Sequence, residues 1–405
     1  MTNVTKPNLR PRGSNHVGMR QFNERVVLQA IRLNGSCPKA EIARLTHLTA
    51  QTVQQIIGRL EADGLVIKRG RIRGRVGQPS VPMALNPDGA FAIGLTIGRR
   101  NLEVLLVDFC AVVRERRTLE YPFPDPDTLF GEIVRLVDEL LQVLGPERVD
   151  LLCGVGVAAP LSLEGWTELL DVSPMLVRKW ADIDIRARIH TLLGLPVEFV
   201  KDTAAACVAE LVVGRGRAER NFLYFYVDTF IGGGIVLDSQ LHAGGHSNAG
   251  AVGSLALAVG QRGQRTTPRQ LLSVASLHGL QLAYAGAGLE VSAWRDERAL
   301  QSPWRALTQA WLEQAAASIA FAIDNVACLL DIDSVIIDGT FGRELLDALL
   351  AHVREAFALY DWQGVAQPTL MPGSVGADAR ALGGALLPLY ANFTPSRDLF
   401  LKLSP

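Results

Sequence analysis

The chain has 405 residues, 48% hydrophobic and 20% charged, which is long and apolar enough for two or three domains with buried cores. Its formal net charge of −1 hides an asymmetry: residues 1–88 hold 14 Lys and Arg against 5 Asp and Glu, a net of +9, and residues 89–405 hold 26 against 36, a net of −10. No run approaches the roughly 18–20 unbroken apolar residues of a membrane span. The start is polar, and the five scattered cysteines lack metal-ligand spacing. Membrane, disulfide-scaffold and zinc-cluster classes are therefore set aside, and a cytoplasmic protein is expected.

Residues 1–20 are polar and read as a disordered arm. Helical periodicity follows. Asn23 is expected to cap a first helix reaching about residue 33, with Val27, Ala30 and Ile31 on one face. Asn34-Gly35 ends it, and Pro38 suits the start of a short second helix at 39–45. Thr49 is placed to cap a third helix at 50–63. There Val53, Ile56, Ile57 and Leu60 recur at i, i+3, i+4 and i+7, so one face is buried. Gln51, Gln54 and Gln55 fall outside that stripe, and Gly64 is a natural stop. Strands are expected at 65–68 and 81–85, flanking a basic loop.

Residues 21–88 thus outline a winged helix-turn-helix. Such a domain lays its third helix in the major groove with the first turn toward the base edges. That turn holds Thr49, Ala50, Gln51 and Thr52, with Gln54 and Gln55 following. Glutamine amides pair bidentately with adenine, and the two threonines are placed to touch phosphate. The loop carries Lys68, Arg69, Arg71, Arg73 and Arg75, then Gly77-Gln78-Pro79. A thin cationic loop of this kind suits the negative potential of the minor groove. Double-stranded operator DNA is the expected partner. A protein-docking module with a solvated basic face is the competing reading.

From residue 90 the texture becomes strand-turn-strand. Strands are expected at 91–97, 102–107 and 112–120, with a helix near 128–144. The same strand order returns at 222–227, 235–237 and 240–242. Helices near 303–330 and 343–359 flank a strand at 334–337, and a last helix is expected at 379–391. Two similar strand sets imply a duplicated α/β body: a small lobe of residues 89–201 and 380–405, and a large lobe of 202–379. Such bodies bind small ligands at strand ends.

Four runs then occur in order: Gly154-Val155-Gly156-Val157-Ala158-Ala159-Pro160, Val200-Lys201-Asp202-Thr203-Ala204-Ala205-Ala206, Ile231-Gly232-Gly233-Gly234, and Gly245-His246-Ser247-Asn248-Ala249-Gly250-Ala251-Val252-Gly253-Ser254. Together they resemble the ROK family of repressors, open reading frames and sugar kinases. Ala40-Glu41-Ile42-Ala43-Arg44-Leu45-Thr46 and Gly77-Gln78-Pro79-Ser80 resemble its repressor branch. The resemblance implies an α/β fold: an N-terminal winged helix-turn-helix joined to a two-lobed actin-like (sugar-kinase/RNase H-like) ROK body. It places Asp202 where kinase members carry a general base, with Lys201 where they carry Asn. It also implies that glycine loops would cradle ATP phosphates, and that a Glu-x-Gly-His motif and a cysteine-rich loop would serve sugar and zinc.

The chain departs from that pattern where chemistry is needed. The first phosphate loop reads Thr96-Ile97-Gly98-Arg99-Arg100 and the second Asp228-Thr229-Phe230; a carboxylate there repels phosphate and Phe230 crowds it. The Glu-x-Gly-His positions are Ala251 and Ser254. The zinc loop reads Val259-Gly260-Gln261-Arg262-Gly263-Gln264-Arg265 without a cysteine, and a further sugar-holding Glu falls near Leu272. No catalysis, no ATP turnover, no structural zinc and no cofactor are therefore expected, and Gly232-Gly233-Gly234 reads as a tight strand connection. The expected function is a transcriptional regulator, a repressor of carbohydrate-related genes by resemblance, acting as a homodimer or higher homo-oligomer. A sugar or sugar-like effector would meet Lys201, Asp202, His246 and Asn248. Against this, Lys201 and Asp202 would simply pair with each other and His246 would be plain surface. Two alternatives stay open: an active sugar kinase with a DNA-binding head, and a ligand-independent DNA-binding protein.

Overall fold

The computed structural model describes residues 16–70, 81–160, 173–260 and 268–395. The chain divides into two compact units, Met1–Phe199 with Gly384–Pro405, and Val200–Gly383.

The first unit opens with three helices, α1 (His16–Asn34), α2 (Lys39–Thr46) and α3 (Ala50–Ala62). α1 begins earlier than Asn23, so residues 16–20 are helical rather than part of an arm. Its polar Glu24 and Arg25 are buried, and both find partners. Glu24 takes the Arg59 guanidinium of α3 at 2.8 Å, and Arg25 donates to the Thr394 carbonyl at 3.2 Å. Burial of two charged groups is tolerated only because each is paired or hydrogen-bonded. Thr49 caps α3 as its sequence position predicts: its hydroxyl oxygen accepts the Thr52 N–H at 3.1 Å. Val53, Ile56, Ile57 and Leu60 are buried. Gly64 follows the helix at φ +73°, the left-handed conformation that glycine adopts without a Cβ clash. A small sheet of order β1-β3-β2 completes the head: β1 (Ser36–Cys37), β2 (Val66–Lys68) and β3 (Met83–Leu85). β3 pairs antiparallel with both neighbours. The Asn86 side-chain amide fastens this sheet to the end of α3 by donating to the Gly64 carbonyl at 2.7 Å.

The same unit contains a five-stranded sheet of order β6-β5-β4-β7-β8, from β4 (Phe91–Ile97), β5 (Asn101–Asp108), β6 (Val113–Glu120), β7 (Leu152–Ala159) and β8 (Val197–Lys201). β4, buried along its whole length, pairs antiparallel with β5 and parallel with β7. α4 (Pro126–Leu144), capped by Asp125, lays Leu129, Ile133, Leu136, Val137 and Leu140 into this core. Arg32 of α1 lies over the Phe109 ring at 5.4 Å, and Phe109 meets Phe393 edge-on at 4.7 Å. The head is thus seated on its own unit by the Arg32 cation over the Phe109 ring and by the buried Arg25 guanidinium on the Thr394 carbonyl.

The second unit repeats the pattern. Its sheet has the order β11-β10-β9-β12-β13, from β9 (Phe222–Val227), β10 (Gly232–Leu237), β11 (Gln240–His242), β12 (Ser334–Gly339) and β13 (Thr369–Pro372). β9 pairs antiparallel with β10 and parallel with β12, so both sheets place their first-met strand in the middle, an antiparallel meander on one side and a parallel pairing on the other. α5 (Asp202–Val212), the long α6 (Arg305–Leu330) and α7 (Arg343–Ala356) supply the helices, and α8 (Ala379–Phe393) begins in this unit and ends in the first. α6 is long and apolar, and Trp311, Leu312, Ala315, Ile319 and Ile323 lie in the core.

One expectation about the glycines is corrected. Gly232-Gly233-Gly234 is not a connection but the first half of β10. A Cβ on Gly233 would stand 2.1 Å from the Tyr224 carbonyl oxygen, and one on Gly234 would stand 2.6 Å from Cβ of Cys207. Close strand and helix packing, not a turn, requires glycine here.

Candidate DNA interface and effector site

The burial of one face of α3 leaves the opposite face outward. Ala50, Gln51, Gln54, Gln55 and Gly58 are exposed, and Gln51, Gln54 or Gln55, and Gly58 follow one another a turn apart. Neither Gln51 nor Gln55 hydrogen-bonds another described residue, so each keeps a free carbonyl acceptor and a free amide donor. Gln54 differs, because the Lys39 ammonium donates to its Oε1 at 2.7 Å. The hydroxyls of Thr49 and Thr52 lie 2.8 Å apart. One hydrogen joins them, which leaves a single hydroxyl hydrogen for an outside acceptor. Arg71, Arg73, Arg75 and Gln78 lie outside the described residues.

Lys39 and Gly58 were not singled out by the sequence. Lys39 is the first residue of α2, and nothing in its local pattern points to a glutamine 15 positions on. Gly58 carried a signal. Glycine inside a helix costs about 1 kcal/mol relative to alanine, yet a Cβ there would meet nothing within 4 Å.

In the second unit, Asp202 begins α5 with its carboxylate buried. Its Oδ1 accepts the Thr203 N–H at 2.8 Å, and Thr203 in turn donates to the Gly233 carbonyl at 3.2 Å. Lys201 and Asp202 form no ion pair; the ammonium of Lys201 is half-buried, and burial pushes its pKa down while the Asp202 charge opposes the shift. The cation near Asp202 is Arg380, from the first turn of α8, with Nη1 4.0 Å from Oδ2. The same nitrogen stands 2.7 Å from Oδ2 of Asp228. The other oxygen of Asp228 accepts the Thr340 hydroxyl at 2.9 Å. The Arg380 guanidinium also lies 5.7 Å from the Tyr226 ring centre, and Tyr226 donates to the Gly376 and Ala377 carbonyls, each at 3.3 Å, just before α8. The turn after β9 is therefore occupied by a carboxylate with both oxygens engaged. The corresponding turn after β4 is closed differently: the Tyr121 hydroxyl contacts the carbonyls of Gly98 and Asn101 at 2.9 and 2.8 Å.

His246 and Asn248 are exposed on the turn after β11. This turn folds back so closely that a Cβ on Gly250 would stand 2.6 Å from the Cα of Gly234. No hydrogen bond or ion pair joins either side chain to Lys201 or Asp202 among the described residues. Arg380 and Thr340 are the polar groups that sequence reasoning missed. Arg380 carried a signal, as the only charge in the small apolar run 379–386. Among the described residues no group of His, Cys, Asp and Glu is arranged to hold a metal; residues 261–265 of the expected zinc loop lie outside them.

A sequence model of the ROK family matches residues 92–390, and one described as winged helix-turn-helix DNA-binding matches residues 23–67. The uncharacterized protein y4fQ of Sinorhizobium fredii is 23% identical over 373 residues, 92% of each chain. The xylose repressor of Caldicellulosiruptor bescii is 25% identical over 240 residues, so the match spans only 59% of each chain. The crystal structure of a ROK family transcriptional regulator, a homolog of the E. coli MLC protein, superposes with a TM-score of 0.63 at 20% identity, covering 93% of this chain and 98% of that one. Structures described as a ROK hexokinase and a ROK glucokinase share the fold of the body as well. At these identities the structural likeness speaks for the fold alone.

Proposed function

The chain belongs to the ROK family and carries an N-terminal winged helix-turn-helix, and on that premise we propose that it is a transcriptional regulator, a repressor of carbohydrate-related genes, that binds double-stranded operator DNA through α3. The observation that carries this reading is the exposed row of α3, where Gln51 and Gln55 keep their donors and acceptors unspent while the opposite face is buried. Thr49, Ala50 and Thr52 belong to the same docking turn, Gln54 to the next, and the cationic loop with Arg71, Arg73, Arg75 and Gln78 would follow the duplex into the minor groove. Two copies would present two heads to a pseudo-palindromic site.

In this reading the body senses rather than catalyses. A sugar or sugar-like effector would be held by Lys201 and Asp202, with His246 and Asn248 on the neighbouring turn, and relatives described as xylose repressors favour that class. What supports a non-catalytic body is the Asp228–Arg380 pair in the turn after β9: phosphoryl transfer relies on neutralising phosphate charge, and a carboxylate there opposes it. An effector acts only by binding two states of the protein unequally. The test is to add D-xylose, other monosaccharides, phosphosugars and polyols to the full-length protein bound to a duplex that it selects. At least one compound should change DNA affinity; no change across the panel would remove the effector. Sugar-dependent ATP consumption, abolished by Asp202→Asn, would instead establish a kinase.

A further inference from the structure

Resting on the DNA-binding reading, we propose that Lys39 and Gln54 act as one guanine-reading pair, so that a residue of α2 sets the base preference of a residue of α3. A lone glutamine offers one acceptor and one donor group side by side, and adenine is the base whose major-groove edge offers the complementary donor and acceptor. Gln54 is not alone. Its Oε1 already accepts from the Lys39 ammonium at 2.7 Å.

The pair therefore turns outward as a set of donors with a positive charge: the Nε2 hydrogens of Gln54 and the remaining hydrogens of Lys39. An approaching adenine would bring its N6 amino group, itself a donor, against the ammonium. Guanine brings N7 and O6, two acceptors, and both are met. Gln51 and Gln55 have no such cation on their oxygens among the described residues, so one helix presents two chemically different kinds of glutamine. Gln54 is exposed on the same row as Gln51, and its partner comes from the helix that precedes the turn, so the pair is on the outward side without distortion of α3.

The experiment uses the full-length protein and a random-sequence duplex library. Wild type, Lys39→Met and Gln54→Ala each select their preferred duplexes, and affinities are then measured at one salt concentration on single-position variants of the wild-type site. Wild type should prefer guanine over adenine by about tenfold at one position of each half-site. Lys39→Met should erase or invert that preference at that position alone, and Gln54→Ala should erase it at the same position. Uniform weakening on every duplex by Lys39→Met, with the preference intact, would make Lys39 a phosphate contact and overturn the proposal. A preference that survives Gln54→Ala would overturn it too. Failure of the wild type to select any duplex would bring down the DNA-binding reading itself, a result distinguishable from the other two. Unchanged circular dichroism and melting of both variants show that the head remains folded.

Discussion

The head and the second unit dispose of their polar side chains in opposite ways. On α3, Gln51 and Gln55 face outward and bond no other described residue. In the turn after β9, by contrast, both oxygens of Asp228 are taken, one by Arg380 at 2.7 Å and the other by Thr340 at 2.9 Å. Hydrogen-bonding capacity left open on a surface fits an external partner; capacity closed within the protein stabilises the fold and leaves little for a ligand. The outward glutamines of α3 thus keep capacity for an outside partner, and the Asp228 carboxylate spends its own within the second unit.

The largest expected effect tests the closed half. Arg380→Ala leaves the shielded Asp228 carboxylate without its cation and should destabilise the protein by about 3 kcal/mol, read by urea unfolding. Adding Asp228→Ala should recover part of that loss, because the unpaired charge is then gone. A cost below about 0.5 kcal/mol for the single change would class the pair with surface ion pairs and break the comparison.

Thr49→Ala should have a smaller effect. The cap on α3 disappears, and the head should lose about 1 kcal/mol of stability. Hydrogen exchange on the first turn of α3 would report this directly, and unaltered protection there would show that the hydroxyl is not the cap.

The smallest change has the opposite sign. Gly58→Ala should raise the stability of the head by just under about 1 kcal/mol, because alanine is the better helix former and meets no neighbour. It should at the same time weaken DNA binding if the row through Gln51, Gln54 and Gly58 is the contact face. Stability and affinity rising together would move the interface elsewhere.

Much of this was legible in the sequence. α3 could be read because its apolar spacing, its Thr49 cap and its Gly64 stop all agree. β4 and β9 could be read because their apolar runs are short and bounded by turns. The start of α1 could not. Gly18 and the polar His16, Arg20 and Gln21 interrupt the apolar spacing there. The partners of its buried Glu24 and Arg25 were equally hidden, Arg59 lying 35 positions away and the Thr394 carbonyl 369. The glycines of β10 misled for a similar reason, since their neighbours Tyr224 and Cys207 come from another strand and from α5. At the candidate sites, residue types on a periodic helix surface could be anticipated, but Lys39 on Gln54 and Arg380 on Asp228 are contacts between distant segments. No local pattern encodes them.

The central claim is that the open row of α3 grips DNA, and one titration tests it most directly. The full-length protein and its Gln51→Ala and Gln55→Ala variants are titrated by fluorescence anisotropy with a selected duplex and with scrambled duplexes, across a range of salt. We predict a steep loss of affinity with salt for all three proteins. Each variant should also lose about 1–3 kcal/mol on the selected duplex and almost nothing on scrambled ones. A flat salt response, or equal losses on selected and scrambled duplexes, would contradict the account.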